Sequence, residues 1–486
     1  MKLLQPITIN GMQVPNRVMV PAMVTRLSGD DGYVNQAITD RYVRYAQGEV
    51  GLIVVEAMAI HGSNAGPLLR ISDDKFVPGL REMVRRIHDA SDSKVVPQII
   101  HFLKIARSGW RQTVDMLTAE DIERIIEQFG QAAARAREAG FDGIELHNAH
   151  AYTLASFVSP LNTRTDDYGG ATLEGRLRLI GRVMASVRRH AGHDYPVGIR
   201  FLSEEFVRGG HTVEDAKLIA LRMAQLGADY LSLSVGGKFE DAVHTPGQVL
   251  HGYSGYSGER CMPGASHPPA LHLPYAAQIK AFLVAKGHDV PVIAAGKLSD
   301  PDTAEAALDQ VDMVAIARGL LADPDWVKKL RLEQRERIVK CDYCNVCKQL
   351  DGAHMPVTCF LWPKGALQAP ADAGPVATPP AWAEGRAGLT MKVADGSVSL
   401  KWSKAAGATH YDVYRADDDG QARILDGVRL PVFTDTAVLG GMRHRYYVRA
   451  CDASGNTGAP SESVSYEPPG PAPMATPPAA PTAAAR

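Results

Sequence analysis

Eight short β-branched runs, spaced through the first 335 residues with amphipathic stretches between them, limit most strongly how this chain folds. They occupy residues 17–20, 51–55, 95–100, 143–146, 197–201, 230–234, 290–294 and 313–316. The intervening stretches carry helix punctuation. Thr118 ahead of Glu120 and Asp121 reads as a capping-box start, and Gly140 as a stop. Thr212, followed by Glu214 and Asp215, repeats the start signal. Eight strand–helix repeats predict a (β/α)8 TIM barrel. A doubly wound sheet is the rival. It would carry a Gly-x-Gly-x-x-Gly turn after its first strand, and none stands there.

The chain has 486 residues, more than one barrel needs. The pattern divides it into a barrel over 1–335, a cysteine-bearing segment over 336–363, a Pro/Ala-rich linker over 364–380, a small all-β sandwich over 381–467 and a disordered Pro/Ala-rich tail over 468–486. The sandwich is read from alternation around Trp402, from the runs 410–416 and 445–450, and from the turn at 452–456. A net charge of -2 gives no basic surface for nucleic acid or an anionic membrane. No run approaches the ~20 apolar residues of a membrane span. The N-terminal residues lack an apolar signal core, so the expected location is the cytoplasm.

In a TIM barrel, chemistry sits at the carboxyl ends of the strands. The first run ends in Pro21, Ala22 and Met23, the second in Glu56 and Ala57, and the third reaches Gln98 and His101. The fourth ends in His147, Asn148, His150 and Tyr152, and the fifth reaches Arg200. The seventh ends in Gly296 and Lys297, the eighth in Arg318 and Gly319. Small residues, an amide and cations on one mouth are the parts a flavin site needs. Gly296, Arg318 and Gly319 fall at the usual phosphate position. Arg200 and Gln98 suit the charge that a reduced flavin carries at one ring edge. Taken singly, each reads as a polar plug of a barrel layer. His147 and His150 could grip a carbonyl oxygen or bind a metal, but no third ligand stands near them. Tyr152 offers a proton donor, or an aromatic packed against the flavin edge.

Four of the six cysteines crowd together: Cys341, Cys344, Cys347 and Cys359, followed by Trp362 and Pro363. Four thiolates can hold an iron–sulfur cluster or zinc, and spacing alone does not separate the two.

These residues carry a resemblance to the Old Yellow Enzyme family, in the iron–sulfur branch that includes 2,4-dienoyl-CoA reductase and trimethylamine dehydrogenase. It rests on the segments NRVMVPAM at 16–23, GFDGIELH at 140–147, SPLNTRTDDYGG at 159–170, GIR at 198–200 and AIARG at 315–319, and covers about residues 1–363. It implies FMN contacts from Pro21, Met23, Ala57, Gln98, Arg200, Gly296 and Arg318. It places His147 and His150 at the substrate-binding pair and Tyr152 at the proton donor. It makes the cysteine quartet the holder of a [4Fe-4S] cluster. The branch continues into FAD- and NAD(P)H-binding domains with glycine fingerprints. Here residues 381–467 resemble a fibronectin type III domain instead.

The expected activity is reduction of an activated C=C bond in a small molecule such as a CoA thioester. NAD(P)H or a separate electron-transfer protein would be the reductant. Two other readings are an amine dehydrogenase and a non-catalytic scaffold with a partner-binding β-module. The protein partners left open are that electron carrier and a second copy of the chain.

Overall fold

The computed structural model describes residues 1–63, 66–105, 110–238, 241–242, 252–371, 380–394, 397–416, 422–436, 438, 443–452 and 457–466, with only the backbone of 422–427. The turn at 453–456, residues 372–379 of the linker and the Pro/Ala-rich tail expected from the sequence lie outside these residues. The chain divides into two compact units, residues 1–374 and 375–486. Among the described residues, no helix is long and apolar enough to cross a membrane.

All eight expected strands form, and they close into a parallel barrel. They are β1 (Val18–Val20), β2 (Leu52–Ala59), β3 (Lys94–Ile100), β4 (Ile144–Asn148), β5 (Val197–Leu202), β6 (Tyr230–Ser234), β7 (Val292–Ala294) and β8 (Met313–Ala315). Strand β8 pairs back onto β1 to complete the ring. Alternation along each strand sorts the side chains. Val18, Ile53, Val95, Ile144 and Ile199 pack outward beneath the helices. Met19, Leu52, Val54, Val96 and Tyr230 fill the interior. An antiparallel hairpin of Ile7–Ile9 and Met12–Val14 adds Ile9, Met12 and Val14 to that interior cluster and closes one end of the barrel. The expected capping box is present at the helix Ala119–Glu138. The Asp121 N–H donates to Thr118 Oγ1 (3.1 Å) and the Thr118 N–H to Asp121 Oδ2 (3.0 Å).

One interior packing detail fixes the floor of the open end. Tyr230 lies across the barrel and donates from its hydroxyl to Glu145 Oε2 (3.3 Å). Gly198, beside it in register on β5, makes room: a Cβ there would stand 2.0 Å from the Tyr230 ring. Glu145 Oε1 in turn accepts from Gln98 Nε2 (2.7 Å).

The second unit has two antiparallel sheets. Its strands are β9 (Thr390–Ala394), β10 (Ser397–Lys401), β11 (His410–Ala416), β12 (Ala422–Val428), β13 (Val432–Asp435), β14 (His444–Cys451), β15 (Thr457–Pro460) and β16 (Val464–Tyr466). One sheet runs β9-β10-β13 and the other β12-β11-β14-β15, with β16 also on β14. Val398, Leu400, Trp402, Tyr411, Val413, Tyr446 and Val448 from both sheets share one core.

Candidate active site

The open end of the barrel holds a cavity with about 1240 Å³ of space between its walls and solvent. Its walls contain the barrel residues expected to hold flavin and substrate, but not Glu56, His101 or Asn148 from the same strand ends. Pro21, Ala22 and Met23 come from the end of β1, Ala57 from β2, Gln98 from β3 and Arg200 from β5. His147, His150 and Tyr152 follow from β4. Gly296 and Lys297 follow β7, and Arg318 and Gly319 follow β8. Period-two alternation explains the convergence. Glu145 and His147 share the inward face of β4, while Ile144 and Leu146 face the helices.

Arg200 is a half-buried cation whose Nε and Nη1 are themselves buried. Among the described residues, its Nε and Nη1 have no hydrogen-bond partner. Burial pushes the Glu145 carboxyl up, and Arg200 is the chief group opposing that shift. Gln98 is held by Glu145 from below, which fixes its amide at the cavity floor.

His147 and His150 stand edge to face, ring centroids 5.2 Å apart at 84°. His150 and Ala151 take left-handed backbone angles, φ 57° and 61°, which turn the chain sharply after β4. His150 Nε2 bonds Ser234 Oγ at 2.8 Å, and His147 Nδ1 is buried with no partner among the described residues. Burial, reinforced by Arg200, holds both imidazoles well below their usual value, so both are neutral near pH 7. A neutral imidazole has one N–H, and with Ser234 Oγ donating to His150 Nε2 that of His150 stands on Nδ1. The Tyr152 ring lies 4.8 Å from that of His147.

The cations near β7 and β8 are differently engaged. Lys297 Nζ donates to the carbonyls of Gly264 (3.0 Å), Ala265 (3.2 Å) and His267, so its ammonium anchors the loop after β6. Arg318 Nη1 donates to Pro263 O (2.7 Å) and Asn345 Oδ1, and its guanidinium lies 4.8 Å over the Tyr343 ring. Gly296, at φ 105°, leaves no room for a Cβ, which would stand 2.4 Å from His272 Nδ1.

The cysteine segment is part of the same wall. Cys347 lines the cavity. Cys347 and Cys359 pack with Met23, Leu321, Val357 and Trp362. Burial pushes all four clustered thiols up, Cys341 to about 12. The segment is tied to the barrel by Arg26 Nε to Asp351 Oδ1 (2.8 Å), by Val357 N to Thr25 O (2.8 Å), and by Arg41 stacked 4.7 Å over Trp362.

Two wall residues beside His150 escape sequence reading. Ser234 ends the sixth run, and a strand-end census extended to that run would find it. Tyr253 lies in the loop after β6, with its ring 6.4 Å from His150 and 5.1 Å from Lys238 Nζ. No local pattern marks it. Its place comes from long-range contacts, such as the Tyr253 N–H to Lys238 O bond (2.7 Å).

The pattern of the NADH:flavin oxidoreductase / NADH oxidase family matches residues 2–112 and 103–253. The chain is 33% identical over 364 residues to an NADH oxidase of Thermoanaerobacter brockii, across 70% of this chain and 52% of that protein. It is 32% identical over 342 residues to an NADPH dehydrogenase of Geobacillus sp. (strain WCH70), across 67% of this chain and 92% of that protein. The fold superposes on a 2-naphthoyl-CoA reductase–2-naphthoyl-CoA complex with a TM-score of 0.64 and 24% identity, covering 74% of this chain and 56% of the other. The chain spans about half the length of the NADH oxidase it matches.

Proposed function

The chain belongs to the NADH:flavin oxidoreductase / NADH oxidase family, and from that premise we propose that it is an FMN-dependent reductase of activated C=C bonds. One observation carries the reading. A neutral histidine pair and Arg200, whose Nε and Nη1 have no partner among the described residues, line the same cavity at the mouth of the barrel.

The residues present fit FMN. The free Nε and Nη1 of Arg200 and the fixed amide of Gln98 suit the anionic edge of a reduced flavin ring. Pro21, Ala22, Met23 and Ala57 offer small or apolar surface for the ring, and Gly296, Arg318 and Gly319 an open backbone and a cation for the phosphate. Lys297 acts on the phosphate side by holding the 264–267 loop. Bound FMN would supply hydride to the β-carbon, with electrons from NAD(P)H or a redox protein.

His147 and His150 donate N–H bonds to the substrate carbonyl oxygen and polarise it. Being neutral, they lose no charge-solvation when the cavity dries. Tyr152 delivers the proton to the α-carbon. An enone, an enoate or an enoyl thioester presents the needed carbonyl. Arg200 and Lys238 act electrostatically on the histidine pair, and they argue against a cationic amine as substrate.

The quartet of Cys341, Cys344, Cys347 and Cys359 is proposed to hold a [4Fe-4S] cluster. Among the described residues, no three of these sulfurs lie within 4.8 Å of one another. Such a cluster would carry electrons one at a time. The order of the two sheets, with Trp402 and Tyr411 in the core, supports the fibronectin type III-like reading of the second unit.

The test is a half-reaction. Protein loaded with FMN is reduced anaerobically and mixed with cyclohexenone, cinnamate or crotonyl-CoA. Rapid reoxidation with a saturated product supports the reading. Reoxidation no faster than in buffer, for all three, rejects it.

A further inference from the structure

A second set of metal-type ligands lies in the C-terminal unit, far in sequence from the cysteine quartet. Strands β11 and β14 pair antiparallel with His410 opposite Cys451 and Asp412 opposite Arg449. Their inward residues, Tyr411, Val413, Val448 and Ala450, belong to the sandwich core. Period-two alternation sends His410, Asp412 and Cys451 together to the other face. An i, i+2 pair on one strand and the facing residue on its neighbour are close companions on a sheet face.

The three side chains converge. One ligand atom from each lies within 4.8 Å of the other two. Cys451 Sγ stands 3.4 Å from Asp412 Oδ2. Cys451 is buried, and the other two are half-buried. Zinc bonds of ~2.3 Å to sulfur and ~2.0–2.2 Å to oxygen set at a tetrahedral angle place those two atoms ~3.6 Å apart. The donor set selects the ion. Calcium and magnesium take oxygen ligands, whereas thiolate with imidazole and carboxylate suits zinc.

We propose that His410, Asp412 and Cys451 form a zinc site at the β11–β14 end of the sandwich, with water as the fourth ligand. The site is independent of the flavin cavity and of the activity proposed for it. On binding, zinc displaces the Cys451 thiol proton, which passes to solvent. Arg449, facing Asp412, opposes the incoming charge and makes the site weaker than a centre of four thiolates.

The experiment uses the full chain with FMN and cluster loaded, so that the quartet is filled. The protein is dialysed against micromolar free Zn²⁺, and bound zinc is counted by mass spectrometry. Wild type should retain one zinc per chain. Cys451→Ser and His410→Ala should bind it at least tenfold more weakly, with the near-ultraviolet circular dichroism of the sandwich aromatics unchanged. Asp412→Asn keeps side-chain volume and carries the test if either variant misfolds. Co²⁺ should give a thiolate charge-transfer band in a difference spectrum of wild type, absent from Cys451→Ser. Equal zinc retention in wild type and all three variants, or no retention by wild type, overturns the proposal. The thiol–carboxylate contact would then be a plain hydrogen bond.

Discussion

His147 and His150 meet edge to face with ring centroids 5.2 Å apart, and both are kept neutral by burial beside Arg200. The pair therefore acts as two fixed N–H donors. Replacing either with Ala should lower kcat/KM for an enone about 10²–10³-fold, the usual cost of losing one donor to a developing oxyanion. FMN stoichiometry should not change. Steady-state kinetics with flavin absorbance check both statements.

Tyr152 and Tyr253 each stand beside one histidine, 4.8 Å from the His147 ring and 6.4 Å from the His150 ring respectively. Tyr152→Phe should slow reoxidation of the reduced enzyme by substrate about 10²–10⁴-fold, as expected when a general acid is removed. Reduction by NAD(P)H should be unaffected. Tyr253→Phe should mainly shift KM. Stopped-flow measurement of the two half-reactions separates these outcomes.

Arg200→Met should act with opposite signs on the two forms of the protein. The apo form should become more stable, because two buried nitrogens without a partner among the described residues disappear. FMN affinity should fall at least about tenfold, since a hydrogen bond to a charged group contributes roughly 1.5–3 kcal/mol. Thermal melts of the apo form and fluorescence titration with FMN give the two readings.

Cys344→Ser should abolish iron–sulfur absorbance and leave FMN bound. Cys344 is absent from the cavity wall, to which the segment contributes Cys347 instead. Iron and flavin analysis of the purified variant decides it. Loss of flavin along with iron would mean that the quartet is needed to hold the wall in place.

Glu56 gives a pH signature. It is fully buried, accepts from the Thr25 N–H at 2.6 Å, and has its carboxyl pushed up to about 7 by burial. The native state thus holds this proton more tightly than the unfolded chain, whose value is near 4.5. Its contribution to stability is complete below pH 4.5 and lost as the pH rises through 7, on the order of 3 kcal/mol in all. Urea midpoints at pH 5 and pH 8 should differ more for wild type than for Glu56→Gln.

Much of the first unit was legible because its period is strong. All eight strands, and the convergence of Gln98, His147, Arg200 and Arg318, follow from β-branched runs and from knowing which strand ends matter. What alternation does not encode is the role of a long side chain. Lys297 reaches the wall as expected, yet its ammonium turns to the 264–267 loop. Tyr253 and the contact of Met23 with the cysteine segment depend on folded loops whose partners are distant in sequence. The His410–Asp412–Cys451 group needed the register of β11 against β14, which no single strand reveals.

Gly198 and Tyr230 occupy one volume between them. The phenol that steadies Glu145, and through it Gln98, exists only because its neighbour has no side chain. The two positions are therefore not free to drift separately. A methyl group at residue 198 would evict the ring and unsettle the amide at the cavity floor, although neither residue touches the cavity. In evolutionary terms the pair is a joint character. Bulk can move from one strand to the other only by a double exchange, and a tolerated change at either site should come with a compensating change at its partner.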